Sequence, residues 1–161
     1  MTTTMNIDIP RLEKIWLWIG GAMIVVFLAI IGFMGLSMGL HPPGQMRTLA
    51  PELVDTTAPF NTPGLVPIGT NEYRATVVSR IWTFQPNNMT IPVGSTVHFE
   101  VTSPDVVHGL YIPGTNVNIM AVPGHITEYT YTFKKPGEYL VLCHEYCGTG
   151  HQNMMGKVTV Q

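Results

Sequence analysis

The sequence predicts a mainly β domain, an antiparallel sandwich or small barrel, carried behind one N-terminal transmembrane helix. An uncharged apolar run from Ile15 to Leu40 supplies the helix. Short stretches in which apolar and polar residues alternate supply the strands. Pro-Gly and Pro-x-Gly turns between those stretches divide the chain into many strands rather than a few long ones.

Composition agrees with a membrane-associated protein that has a small soluble part. The chain has 161 residues, of which only 11% are charged, and its mean hydropathy is +0.22. The net charge of −2 comes with no basic patch, so no nucleic-acid partner is expected. Two cysteines are too few for a disulfide framework.

Residues 1–14 form a polar lead. Asp8 is placed to cap a helix, and Pro10 fits a first turn, where its missing N–H costs nothing. Residues 15–40 would span roughly 39 Å as a helix, more than the ~30 Å hydrocarbon core of a bilayer. Trp16 and Trp18 fall where an interfacial aromatic belt lies. The run is too long for a signal-peptide core, and no convincing Ala-x-Ala site follows it. Arg11 and Lys14 before the run, against Arg47 after it, favour a cytoplasmic N-terminus. Gly35-x-x-x-Gly39 either admits a close helix neighbour or reflects the general frequency of glycine in membrane helices.

Residues 41–72 include Pro42, Pro43, Pro51, Pro59, Pro63 and Pro67 with little periodicity, and are expected to be an extended linker. Residues 73–161 are the β domain. Val97, Phe99 and Val101 alternate with polar neighbours, as do Tyr129, Tyr131 and Phe133, each pattern giving one buried face. Further strands fit 75–80, 107–112, 117–122, 138–142 and 156–160.

The chemistry concentrates in Cys143-His-Glu-Tyr-Cys-Gly-Thr-Gly-His-Gln-Asn-Met-Met155, which holds both cysteines. Thiolate, imidazole and thioether suit copper or zinc rather than magnesium or calcium. The stretch is expected to be a loop between two strands, joined by His108 from a neighbouring segment. His108, Cys147, His151 and Met154 would make a mononuclear blue-copper set, leaving Cys143 idle. Using both thiolates as bridges gives a two-copper site instead, with one histidine on each copper. A Cys2His2 zinc site leaves Met154 unexplained. A Cys143–Cys147 disulfide or plain buried cysteines would make the histidine and methionine spacing coincidence.

Ser103-Pro-Asp-Val-Val-His108, Pro136-Gly-Glu-Tyr139 and Cys143-x-Glu-Tyr-Cys147-Gly-x-Gly-His151-x-x-Met154 together resemble cytochrome c oxidase subunit II with its CuA domain. The resemblance spans helix, linker and domain. It implies a cupredoxin-like Greek-key sandwich with a binuclear copper centre. The implied ligands are the side chains of His108, Cys143, Cys147, His151 and Met154 and the main-chain carbonyl of Glu145. It implies transfer of electrons from a soluble cytochrome c or cupredoxin to haem in subunit I, where dioxygen is reduced with coupled proton translocation.

The single helix and Gly150-His-Gln-Asn-Met154 are most similar to the B-family (ba-type) oxidases, which implies a small one-helix companion subunit. In that subtype Glu13 would sit at the mouth of a proton channel; otherwise it is an ordinary first-turn glutamate. By the same resemblance, the Glu145 side chain could hold magnesium, and Trp82 could receive electrons from the donor, with Phe84 more often a core aromatic. The expected location is the inner membrane, single-pass, with the copper domain on the periplasmic side. The alternatives are the copper subunit of a CuA-containing nitric oxide reductase and a membrane-tethered mononuclear copper carrier.

Overall fold

A computed structural model describes residues 10–38 and 47–161. Asp8 and Gly39, named above for a helix cap and a helix contact, lie outside the described residues. The chain divides into two units, one holding the helix and the other the β structure.

Helix α1 runs Arg11–Met38. The carbonyl of Pro10 accepts the amide of Lys14 at 3.1 Å, so the proline opens the first turn as its chemistry favours. Trp16, Ile24, Phe27, Ile31 and Leu36 are all exposed, on every side of the helix. A helix apolar all round needs an apolar surrounding, and α1 is long and apolar enough to cross a membrane.

The β unit contains β1 (Arg47–Leu49), β2 (Gly64–Gly69), β3 (Glu72–Arg80), β4 (Thr83–Gln85), β5 (Asn88–Ile91), β6 (Thr96–Thr102), β7 (His108–Tyr111), β8 (Asn118–Ala121), β9 (Gly124–Thr132), β10 (Gly137–Cys143) and β11 (Met155–Val160). They form two sheets, one in the order β1-β9-β6-β3-β2 with β4 beside β3, the other β5-β11-β10-β7-β8. This is the mainly β, cupredoxin-like sandwich expected. Most pairs are antiparallel, but β3–β6 and β5–β11 are parallel. A parallel pair cannot be closed by a hairpin; here the intervening strands of each pair carry the chain across.

The main core lies between the sheets. Val97, Phe99 and Val101 from β6 meet Leu110 of β7, Ile119 of β8, and Val158 and Val160 of β11. Phe133 meets Phe99, Tyr131 and Tyr139 edge-on, at 6.5, 4.9 and 5.6 Å between ring centroids, an arrangement that aromatic quadrupoles favour. Cys143, Cys147 and Met154 belong to the same buried cluster, so the soft donors close one end of the core.

The segment expected as an extended linker, 41–72, is corrected from Arg47 onward. It contains β1, a 3₁₀ turn at Pro51–Leu53 and β2. Leu49, Val54 and Phe60 form a second small core with Val78 of β3 and Ile126 of β9. Ala75 and Val77 serve the main core, while Val78 serves this second one; successive strand residues point to opposite faces, so β3 is buried on both. The prolines concealed this packing because they suppress periodicity without preventing burial. Arg47 adds a polar fastening. Glu100 and Glu128 stand directly opposite across β6 and β9, a repulsive pairing, and Arg47 donates to both at 3.1 and 2.7 Å.

Phe60→Ala should therefore lower the unfolding free energy of the chain by about 3–5 kcal/mol, measured by chemical denaturation in detergent. An unchanged midpoint would mean that this segment is a linker after all.

Candidate metal centre

Strand β10 ends at Cys143 and β11 begins at Met155, so the ligand-rich stretch is the loop between them. The amide of Cys143 donates to the carbonyl of Met154 at 3.2 Å, which closes the loop at its base. Gly148 takes φ +116°, a conformation that side-chain-bearing residues rarely adopt. A 3₁₀ turn at His151–Asn153 then returns the chain to β11. His108 starts β7, whose Leu110 pairs with Cys143. Residues two apart on a strand share a face, so this register carries His108 to the cysteines across 35 residues of sequence.

The Sγ atoms of Cys143 and Cys147 lie 3.7 Å apart, and both thiols are free and buried. A disulfide requires about 2.05 Å, so the bridge is not formed. His108 Nδ1 stands 4.0 Å from Cys143 Sγ, and His151 Nδ1 3.5 Å from Cys147 Sγ. Met154 Sδ is 3.8 Å from Cys147 Sγ, and the Glu145 carbonyl oxygen 3.3 Å from Cys143 Sγ. Each sulfur thus has a histidine and one weak donor beside it. His108, Cys143 and Cys147 on their own present donor atoms all within 4.8 Å of one another. Soft sulfur donors flanked by imidazole fit copper, and a thioether in the same cluster is foreign to a structural zinc site.

Residues 74–160 match the family described as cytochrome C oxidase subunit II, periplasmic domain. The chain belongs to this family. A cytochrome c oxidase subunit 2 from Thermus thermophilus is 39% identical over 153 residues, covering 92% of this chain and 91% of that protein. A chain in a cryo-electron-microscopy structure of a heme-copper terminal oxidase dimer superposes with a TM-score of 0.79 at 34% identity, covering 94% of this chain and 100% of that one. The periplasmic domain of subunit II of cytochrome oxidase from Bradyrhizobium japonicum shares the fold, with a TM-score of 0.51 at 24% identity over 55% of this chain and 83% of that one. Within the subunit II family, the His108–Cys143–Cys147 cluster is compatible with a CuA centre.

The remaining expected residues are divided by their surroundings. Met154 is 2% exposed and faces the sulfurs, whereas Met155 is 49% exposed and turned away. The Glu145 side chain is exposed, and only its carbonyl meets the cluster. His144 is exposed, packs on Tyr111 and bonds Asn118. Phe84 is buried in the core. Trp82 is 42% exposed yet touches the loop. Its Nε1 donates to the Cys147 carbonyl at 3.2 Å, and a Cβ on Gly150 would fall 2.3 Å from its ring. Gly150 is thus required by the tryptophan rather than by its own backbone. Glu13 lies in the first turn of α1, outside this unit.

Asp105 was missed by sequence reasoning. Its Oδ1 accepts from His108 Nε2 at 2.8 Å and from the Val106 amide at 2.6 Å, and its Oδ2 accepts from the Ile81 amide at 2.8 Å. Burial works to raise the Asp105 pKa, but bonds from His108, the two amides and Ser103 outweigh it and hold the carboxyl below its ordinary value. The available signal was the Ser-x-Asp turn three residues before His108. Tyr146, 75% exposed with its ring 5.9 Å from that of His151, was also missed.

Burial and the adjoining Cys143 push the Cys147 thiol up to about 11, so it carries its proton at neutral pH in the metal-free protein. Copper uptake should therefore release protons and strengthen as pH rises. A pH-indicator titration during metal loading checks this; loading without proton release would contradict it.

Proposed function

We propose that this chain is the electron-accepting subunit II of a terminal heme-copper oxidase and carries a binuclear CuA centre. The observation that carries this reading is the pair of free, buried thiols 3.7 Å apart, each with its own histidine, in a chain of the subunit II family. In this reading Cys143, Cys147, His108 and His151 would hold the two copper ions, with Met154 and the Glu145 carbonyl as the weak donors. When bound, a thiolate-bridged copper pair supplies a one-electron carrier whose geometric change on redox is spread over many bonds.

The protein residues do the rest. The two strands and the closed loop base hold the donors in place before metal arrives, which keeps reorganisation small. Burial of both sulfurs and of Met154 keeps water from the donors. Trp82 links the exposed surface to the Cys147 carbonyl and is the residue that receives electrons from a soluble cytochrome c or cupredoxin. The chain hands them to haem in subunit I, which reduces dioxygen with coupled proton translocation. Subunit I as a partner is supported by the similar chain in the oxidase dimer.

The single membrane-length helix among the described residues supports the B-family (ba-type) assignment, with a small one-helix companion subunit as partner. Arg11 and Lys14, in the first turn of α1 and ahead of its apolar run, support a cytoplasmic N-terminus and a periplasmic copper domain. Glu13, in the first turn of α1, takes the proton-uptake role at the cytoplasmic membrane edge. The exposed Glu145 side chain offers magnesium a single carboxylate, which is a poor site for a hard cation. The nitric oxide reductase alternative is not favoured by relatives that are named cytochrome c oxidase. A mononuclear carrier leaves Cys143, buried beside Cys147, without a purpose.

Electron paramagnetic resonance of the copper-loaded chain should show one unpaired electron coupled to two copper nuclei. Cys143→Ser should abolish that pattern; one copper per wild-type chain would refute the binuclear reading. Trp82→Ala should keep full copper while reduction by the donor protein slows. Unchanged donor kinetics would remove Trp82 from the path.

A further inference from the structure

Four contacts hold the turn that carries Trp82. Arg80 bonds Asp55 and, at 3.1 Å, Gln85; the Ile81 amide donates to Asp105 Oδ2 at 2.8 Å; and Trp82 Nε1 donates to the Cys147 carbonyl at 3.2 Å. Of these side chains, that of Asp105 also reaches His108. Asp105 Oδ1 receives His108 Nε2 at 2.8 Å, and its side chain is 27% exposed while His108 is wholly buried. A carboxylate at Nε2 places the ring proton there and leaves the Nδ1 lone pair facing Cys143 Sγ. Ser103 braces the arrangement, its Oγ lying 3.0 Å from Asp105 Oδ1 and donating to the Val106 carbonyl at 2.6 Å.

We propose that Asp105 is a positioning residue for electron uptake. One oxygen of its carboxylate sets the tautomer and orientation of His108, and the other anchors the Ile81–Trp82 turn against the Cys147 carbonyl. The inference rests on the reading of Trp82 and the copper centre given above. The two functions need two acceptor atoms on one rigid side chain, which a carboxylate provides and a carboxamide does not. Asparagine has a single acceptor oxygen. In Asp105→Asn the chain must therefore give up either the His108 contact or the Ile81 contact.

The test compares wild type, Asp105→Asn and Asp105→Glu as full chains in detergent. In the metal-free protein, nuclear magnetic resonance of the His108 ring nitrogens and the Ile81 amide should show one of the two bonds lost in the asparagine variant. Loss of the His108 bond should appear as a changed tautomer, and loss of the Ile81 bond as an upfield amide proton with altered Trp82 fluorescence. After copper loading, reduction by the donor protein should slow about tenfold, in the range for loss of a residue that orients a metal ligand. Reduction by dithionite, which needs no docking at the Trp82 turn, should slow less than reduction by the donor protein. Asp105→Glu, which keeps two acceptors, should recover part of the donor rate.

Wild-type values for both resonances in Asp105→Asn would overturn the proposal, as would an unchanged donor rate with either bond lost. If the wild type itself lacks the two-copper signal, the functional reading fails. The metal-free resonances then still decide what Asp105 positions.

Discussion

The structure depends on holding two reduced sulfurs side by side at the end of a hydrophobic core. Cys143 and Cys147 are too far apart to bond and too close to be independent. Burial raises the energy of a charged thiolate, so Cys147 keeps its proton in the metal-free protein and losing it is unfavourable until a cation arrives. That cost is met by backbone geometry: Cys143 is clamped at the end of β10, and Cys147 is turned back by a left-handed glycine. The histidines and Met154 fill the space around the sulfurs from separate elements, so no single local segment makes the site.

The surroundings are organised to keep that geometry still. Trp82 lies over Gly150 and bonds the carbonyl of Cys147, which joins the exposed face to the sulfur it flanks. Asp105 joins the same turn to His108. Asp55 reaches the turn through Arg80. It comes from the proline-rich segment, which thereby contributes to the copper end as well as covering the second face of β3. The segment that follows the membrane helix is thus part of the folded domain from Arg47 onward.

Much of this could be read before any coordinates. The apolar run of α1, the strands with period-2 alternation, and the soft-donor loop each announce themselves through local pattern. So did the choice of His108, because a histidine at a strand start near a turn is easily singled out. The missed elements share a reason. β1 and β4 are three residues long, too short for alternation to show, and Pro67 sits in β2, an edge strand that tolerates it. Asp105 and Tyr146 are common residue types whose significance lies only in what stands near them.

The sequence by itself determined the kind of donors, their spacing within the loop, and the presence of a helix that needs an apolar surrounding, because these follow from residue chemistry and local periodicity. Tertiary structure decided that the thiols stay unbridged, that Met154 rather than Met155 faces them, and that residues 47–69 are packed rather than extended. It also decided that a single carboxylate spans the gap between His108 and the Trp82 turn. Those outcomes depend on distances between atoms far apart in the chain. Such distances are set by strand register and by which face each residue presents, neither of which a local pattern encodes.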